Sequence, residues 1–201
     1  MATPIPVRFD LGKESWVEQG VLPVIPPPME FDVLWDLHPK EYGQVMFNKR
    51  IINTPRWQQS YLKPYWYSGM MHEALPMPPP FAPFLEWANC MCTSMPYNSV
   101  LINWYMDGNH YIGKHSDSER QIVRHSPILS ISLGQTRIFR IRSNEDGAPI
   151  LKDIEMLNGS YLVMGGRMQE HFYHEVPKVT GHKGKNMGRR INITFRVMRD
   201  P

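Results

Sequence analysis

The 201-residue chain holds only two cysteines, Cys90 and Cys92. A Cys-x-Cys pair does not readily bridge to itself and finds no third thiol here. A disulfide framework is therefore excluded, and two reduced thiols in a reducing compartment are expected. Long apolar runs are missing too: none approaches the roughly 20 residues that a membrane span needs. No membrane partner is expected. The stretch "MATPIPVRFDLGKE" mixes acidic residues with prolines and has no apolar core. It does not read as a secretory signal, and an intracellular location, nucleus or cytoplasm, is expected. Charge of one sign is scarce as well, since 22 Lys and Arg against 19 Asp and Glu leave a formal +3. Such a balance permits a polyanionic partner without demanding one. Internal repeats, a Walker A loop, a GxSxG elbow, an HExxH pair and a paired CxxC are all absent. "HEVPK" at 174 lacks the second histidine of a zincin.

What is present is ordinary globular material: 42% hydrophobic and 11% aromatic residues, enough to bury a core in one domain. Prolines cluster in "VLPVIPPPME" and "LPMPPPFAPF", which read as extended segments separating elements. Residues 31–41 and 82–94 carry apolar positions at helical spacing, the second starting near its prolines. Beyond residue 97 the pattern alternates. "NSVLINWYM" sets Leu101, Asn103 and Tyr105 against Ile102, Trp104 and Met106. Further short strands follow in "SPILSISLG", "TRIFRIRS", "APILKDIEML", "GSYLVMGG", "EHFYHEVP" and "RRINITFRVM". Many short strands after a helical start predict an α+β chain built on an antiparallel double sheet, a jelly roll.

The stretch "NHYIGKHSDSE" places His115 and Asp117 two residues apart, at the end of what looks like a strand. Residues i and i+2 of a strand share a face, so both point the same way. "QEHFYHEVP" offers a third ligand, His171 or His174. Two histidines and a carboxylate with open positions form the facial triad of non-haem Fe(II) oxygenases. Surface residues at these positions are the plain alternative. In "RRINITFRVM" one face carries Ile191, Ile193, Phe195 and Val197, fit for a core. The other carries Arg190, Asn192, Thr194 and Arg196, whose two arginines suit a small dicarboxylate such as 2-oxoglutarate, or else guard an exposed edge. Asn103 and Tyr105 share a face of their own strand and suit the same ligand.

These pieces together resemble the AlkB family of Fe(II)- and 2-oxoglutarate-dependent dioxygenases. The motifs are Asn-x-Tyr-x-x-Gly, His-x-Asp-x-Glu, a distal His-x-Val-Pro and Arg-x-Asn-x-Thr-Phe-Arg, in order, over roughly residues 45–198. "TPRWQQSYLKPYWYSG" looks like the nucleotide-lid region of the eukaryotic-type DNA-repair members. The resemblance implies a double-stranded β-helix core over 99–201, a nucleotide-recognition lid with a support helix over 45–98, and an N-terminal extension with a helix over 1–44. It implies iron ligands His115, Asp117 and His174, with Fe(II), 2-oxoglutarate and O2 as cofactors. Arg190 would pair with the distal carboxylate of 2-oxoglutarate and Arg196 with the nearer one. Asn103, Tyr105 and Asn192 would complete the cosubstrate site.

On the substrate side, the resemblance matches Tyr65 and Tyr67 to aromatic positions that contact a flipped base. Tyr67 would stack opposite His115, with Trp66 facing the other way. Ordinary core or rim packing is the alternative for both tyrosines. Glu119, the next residue in the side-chain register, suits a base made cationic by N-methylation, such as 1-methyladenine or 3-methylcytosine. Arg56 matches an arginine near the nucleic acid. Val45, Met46 and Phe47, followed by Lys49 and Arg50, read as an apolar wedge with phosphate-binding cations, or as a buried helix end. The implied activity is oxidative demethylation of N-alkylated bases in DNA. 2-Oxoglutarate would be decarboxylated to succinate and formaldehyde released. The partner would be nucleic acid, DNA first and RNA next, and the chain a monomer. An oxygenase for RNA modifications or protein side chains, and a silent β-domain that binds metal or nucleic acid, are the competing readings.

Overall fold

The computed structural model describes residues 5–92 and 95–199, without the side chains of Pro28 and Phe47. Its strands run β1 (Val7–Gly12), β2 (Ser15–Val21), β3 (Gln44–Phe47), β4 (Arg50–Asn53), β5 (Trp57–Tyr61), β6 (Tyr65–Tyr67), β7 (Met70–His72) and β8 (Ala74–Leu75). They continue as β9 (Ser99–Tyr105), β10 (Ile112–His115), β11 (Ile128–Gly134), β12 (Arg137–Ser143), β13 (Ile150–Met156), β14 (Ser160–Gly166), β15 (Phe172–Val176) and β16 (Arg190–Arg196). The helices are short: α1 (Pro28–Trp35), α2 (Ala82–Met91), α3 (Met168–His171) and α4 (Gly181–Lys185).

Two sheets face each other. The larger has the order β1-β2-β14-β11-β16-β9-β5-β8 and the smaller β10-β15-β12-β13. β16 is central, paired antiparallel with β11 on one side and β9 on the other. Its alternation divides the molecule. Ile191, Ile193 and Phe195 join Ile102, Trp104 and Ile131 in an apolar layer under α1 and α2. Arg190, Asn192, Thr194 and Arg196 point inward between the sheets, and all seven residues of the strand are buried. A second apolar cluster, with Phe139, Ile141, Leu162 and Met164, fills the rest of the inter-sheet space. The arginine-bearing face is therefore no exposed edge, because an edge strand does not bury both faces.

The expected jelly roll is present, and every strand expected beyond residue 97 is found. Four features differ. The first helix runs Pro28–Trp35 rather than over 31–41, and Pro39, which disfavours helical backbone at the residue before it, keeps it from extending to 41. The second covers Ala82–Met91, and residues 93–94 of its expected span lie outside the described residues. The N-terminal segment is not an appendage: β1 and β2 pair, and β2 pairs with β14, so both extend the larger sheet. β5 likewise pairs with β9, so neither residue 44 nor residue 98 ends a structural unit.

Three hairpins turn on two-residue loops with positive φ at both positions: Lys13–Glu14, Asn48–Lys49 and Ser68–Gly69. That geometry matches the right-handed twist of the flanking strands. Of the three, only Ser-Gly is a recognisable turn signal. The segment holding Val45 and Met46 is accordingly an exposed β-hairpin, not a buried helix end.

Gly166 holds the end of β14 close to the first hairpin at a φ of 65°. A Cβ there would collide with the Glu14 carbonyl oxygen. Gly166→Ala is expected to lose more than about 2 kcal/mol, read as a melting temperature about 4–8 °C lower.

Candidate metal centre and cosubstrate cleft

His115 closes β10 and lies directly across from His174 of β15. Asp117 follows just beyond the strand. Its backbone N–H donates to Gln169 Oε1 at 2.9 Å, which fixes the loop. One ligand atom from each of His115, Asp117 and His174 falls within 4.8 Å of the others. The two rings sit 4.3 Å apart, and His115 Nε2 lies 3.8 Å from Asp117 Oδ1. His115 accompanies this with a 2.8 Å contact from Nδ1 to the Gly113 carbonyl. Donation there selects the tautomer that leaves Nε2 with its lone pair.

Arg196 supplies the charge that lets Asp117 stay ionised. Its Nε and Nη2 donate to the same oxygen, Oδ2, at 3.2 and 3.0 Å. Oδ1 remains for a metal. Burial pushes the Asp117 carboxyl up, but Arg196, then His174 and His115, outweigh it and hold the pKa at about 2. Burial drives the His174 imidazole down to about 3, with His115 adding to the effect, and lowers His115 as well. Neutral imidazoles beside an ionised carboxylate are the protonation states a metal requires. His174 Nδ1 is buried without a hydrogen-bond partner among the described residues, so no protein group claims that ring as a donor. Phe139 stacks on it at 5.1 Å and 17°.

β16 and its neighbours line the same cleft. Arg190 sits opposite Tyr105, and Asn192 opposite Asn103. Arg190 Nε donates to Ser132 Oγ at 2.9 Å, and its guanidinium lies 4.9 Å from the Tyr105 ring centre. Burial lowers its pKa. Among the described residues no carboxylate faces Arg190, and Nη1 of both Arg190 and Arg196 is buried without a partner. Buried cationic donors left open in this way suit an anionic ligand. Asn103 accepts from Arg56 Nε at 2.6 Å. Asn192 is committed differently: Nδ2 donates to Ser130 Oγ and to the Ile131 carbonyl, and Oδ1 accepts from Thr194. It braces the cleft floor rather than offering donors to a ligand.

Several expectations need correction. Of the two candidate third ligands, His171 ends α3, where the backbone is helical, whereas His174 lies across from His115 on β15. Arg56 is buried, bonded to Asn103 and to Gln58 Oε1 at 3.0 Å. It belongs to the cleft wall, not to a nucleic-acid surface. Glu119 is not in strand register, because β10 ends at His115, yet the loop still brings it beside Asp117 and Arg196. Burial first, and the Asp117 charge second, push its carboxyl up to about 7. Tyr65 and Tyr67 do line the cleft, with ring centres 6.0 Å apart. Met46 is exposed on the β3–β4 hairpin, Val45 is half-buried, and the Phe47 side chain lies outside the described residues. The Met46 N–H donates to the Ser68 carbonyl at 2.9 Å, tying that hairpin to β6–β7. Arg137 escaped the sequence reading. It is buried near Arg190 and donates to the carbonyls of Asp107, His110 and Pro177. An arginine in phase with Phe139 and Ile141, on a strand facing the interior, was its only signal.

A family model described as the 2OG-Fe(II) oxygenase superfamily matches residues 33–196. The chain belongs to that superfamily. Fe(II), 2-oxoglutarate and dioxygen are therefore its cofactors, and the His115–Asp117–His174 set fits the metal by donor chemistry and separation. The sequence also resembles AlkB-type members. DNA oxidative demethylase ALKBH2 of Bos taurus is 33% identical over 141 residues, 66% of this chain and 48% of that one. Alpha-ketoglutarate-dependent dioxygenase alkB homolog 3 of Rattus norvegicus is 33% identical over 142 residues, 67% of this chain and 47% of that one. The chain spans about half the length of the curated relatives it matches. Among solved structures, that of OsALKBH1 superposes with a TM-score of 0.61 at 16% identity, covering 94% of this chain and 99% of its own, a likeness of fold.

The raised Glu119 pKa has a measurable consequence. Its folded-state value of about 7 lies above the ordinary 4.5, so its contribution to stability is full below about 4.5 and is lost as pH rises through 7. Glu119→Gln, which cannot ionise, is expected to melt higher than the parent at about pH 8. The gain should shrink as pH falls through 7 and vanish below about 4.5. A gain independent of pH in thermal melts contradicts the assignment.

Proposed function

We propose that this chain is an oxidative demethylase of N-alkylated nucleobases in DNA, of the 1-methyladenine and 3-methylcytosine type. The observation that carries the reading is one shared cleft. The metal-ligating triad, two buried arginines with open donors and the lid tyrosines Tyr65 and Tyr67 all line it. Relatives named as DNA oxidative demethylases support the same substrate class. A nucleobase offers a flat π face to an aromatic pair, and stacking of that kind is worth about 1–3 kcal/mol per base.

His115, Asp117 and His174 hold iron, and iron with 2-oxoglutarate supplies the oxidising chemistry. Arg190 binds the distal carboxylate of 2-oxoglutarate, opposite Tyr105 on β9. Arg196 serves Asp117 through Nε and Nη2 and keeps Nη1 for the nearer carboxylate. Arg56 holds the Asn103 carbonyl oxygen, which leaves the Asn103 amide donors for the cosubstrate. Tyr65, its hydroxyl held protonated by burial, forms the fixed wall of the base site. Tyr67 is the more accessible of the two and closes the other side. Glu119, with Oε2 buried and unpartnered, gives a methylated cationic base the counter-charge that a neutral base does not need. Oxidation at the N-methyl carbon then releases formaldehyde and the restored base.

Mass spectrometry of 1-methyladenine oligonucleotides as single-stranded DNA, duplex DNA and RNA, with iron and 2-oxoglutarate, tests the reading directly. A net loss of CH2, as N–CH3 becomes N–H, is expected on DNA; no loss on any substrate removes the reading. Asp117→Ala should abolish succinate production. Because Arg196 would then be buried without its partner, the variant should also lose stability. His174→Ala separates the two effects, since His174 Nδ1 has no partner to lose. It should remain folded by circular dichroism and make no succinate. Glu119→Ala should lower methylated-base repair by at least about tenfold while uncoupled 2-oxoglutarate turnover falls far less. Equal losses would end its role in recognition.

A further inference from the structure

The lid has two faces. Tyr65 and Tyr67 point into the cleft and pack with His72, at ring-centre distances of 5.4 Å from Tyr65 and 6.0 Å from Tyr67. Trp66, between them, points the other way. It is 51% exposed, and its cross-strand partner Met71 is 48% exposed. Of the six tryptophans it is the exposed one. No ring or cation packs on it among the described residues. A large apolar ring held on a two-stranded ribbon and left to water is the informative kind of exposure.

Trp66 does not stand on an open surface. With Tyr67 and Met71 it lines a groove that also carries Lys114, Arg120 and Gln121. The Trp66 N–H donates to Gln121 Oε1 at 3.4 Å, which ties the ribbon to the segment that follows the metal ligands. Lys114 and Arg120 are exposed and, among the described residues, face no carboxylate in an ion pair; Lys114 Nζ lies 5.1 Å from the Tyr173 ring centre. The groove runs directly into the metal cleft, because Tyr67 and His115 line both. Glu119 stands in the groove beside Arg120.

An aromatic platform that shares a groove with cations is how single-stranded nucleic acid is held, bases on rings and phosphates on the cations. We propose that Trp66 is the stacking platform for the base adjacent to the target, and that the groove selects single-stranded nucleic acid. This rests on the demethylase reading and adds the strand form of its substrate. Strand alternation supplies the geometry. The target base lies against the inner face of β6 at Tyr65 and Tyr67, and its neighbour against the outer face at Trp66, so the backbone bends around the ribbon. A neighbour that stays paired and stacked within a duplex has no free face to give to Trp66.

The test compares kcat/KM for 1-methyladenine in a single-stranded trinucleotide, in the same trinucleotide with abasic flanks, and in a duplex. For the parent protein the flanking bases should raise kcat/KM about tenfold over abasic flanks, and the single strand should be preferred to the duplex. Trp66→Ala should erase that flanking-base gain, and Trp66→Phe should keep most of it. The proposal is overturned if Trp66→Ala retains the gain, if it loses equally with abasic flanks, or if the parent prefers the duplex. A parent that demethylates none of the three overturns the demethylase reading itself, and that result differs from each of the others.

Discussion

Asp117 is a carboxylate placed out of water between two imidazoles, and it is kept ionised chiefly by the charge of Arg196, which also donates two hydrogen bonds to one of its oxygens. The rest of the centre follows from that pair. With Oδ2 occupied, Oδ1 is turned toward His115. With the negative charge secured, neither histidine needs a proton. Arg196 is held in turn by β16, whose alternate residues are anchored in the apolar layer under the helices. Packing on one face of a strand thus fixes the electrostatics on the other, and neither can be changed alone.

The cleft is deliberately unbalanced. Arg56, Arg190 and Arg196 enter it, and Asp117 is its one fully buried carboxylate among the described residues. Neutral oxygens relieve part of the excess: Asn103 and Gln58 accept from Arg56, and Ser132 from Arg190. Arg137, close behind, donates to backbone carbonyls and lies 5.7 Å from the Tyr105 ring centre. What remains is a surplus of directed N–H groups in a low-dielectric space. That is a preorganised receptor for a small dianion, with the cost of orienting its dipoles already met in folding.

Much of this was legible in the sequence where strands are long and strictly alternating. β9 and β16 announced both faces, and the His-x-Asp spacing announced two ligands. Legibility failed for short elements and for geometry set by distant partners. β1 and β2 are recognisable as strands only through their pairing with β14, and "KE" and "NK" carry no turn signal that would have revealed their hairpins. Asp117 and Glu119 lie near each other because of Gln169 and a loop, not because a strand continues. Arg56 looked like a surface cation because a single-residue match cannot show that Asn103 and Gln58 surround it. The choice between His171 and His174 came from the family motif, and the short helix α3 explains it physically.

The hydrogen bond from Met46 N–H to the Ser68 carbonyl joins two ribbons that are separate in sequence. At their junction Gly69 has no Cβ, and the Met46 side chain occupies the space one would need. A residue inserted into the Asn48–Lys49 turn would therefore not remain a local change. It would act next to the backbone that carries Tyr67 and Trp66, so the tip of one ribbon and the aromatic surface of the other form one mechanical unit.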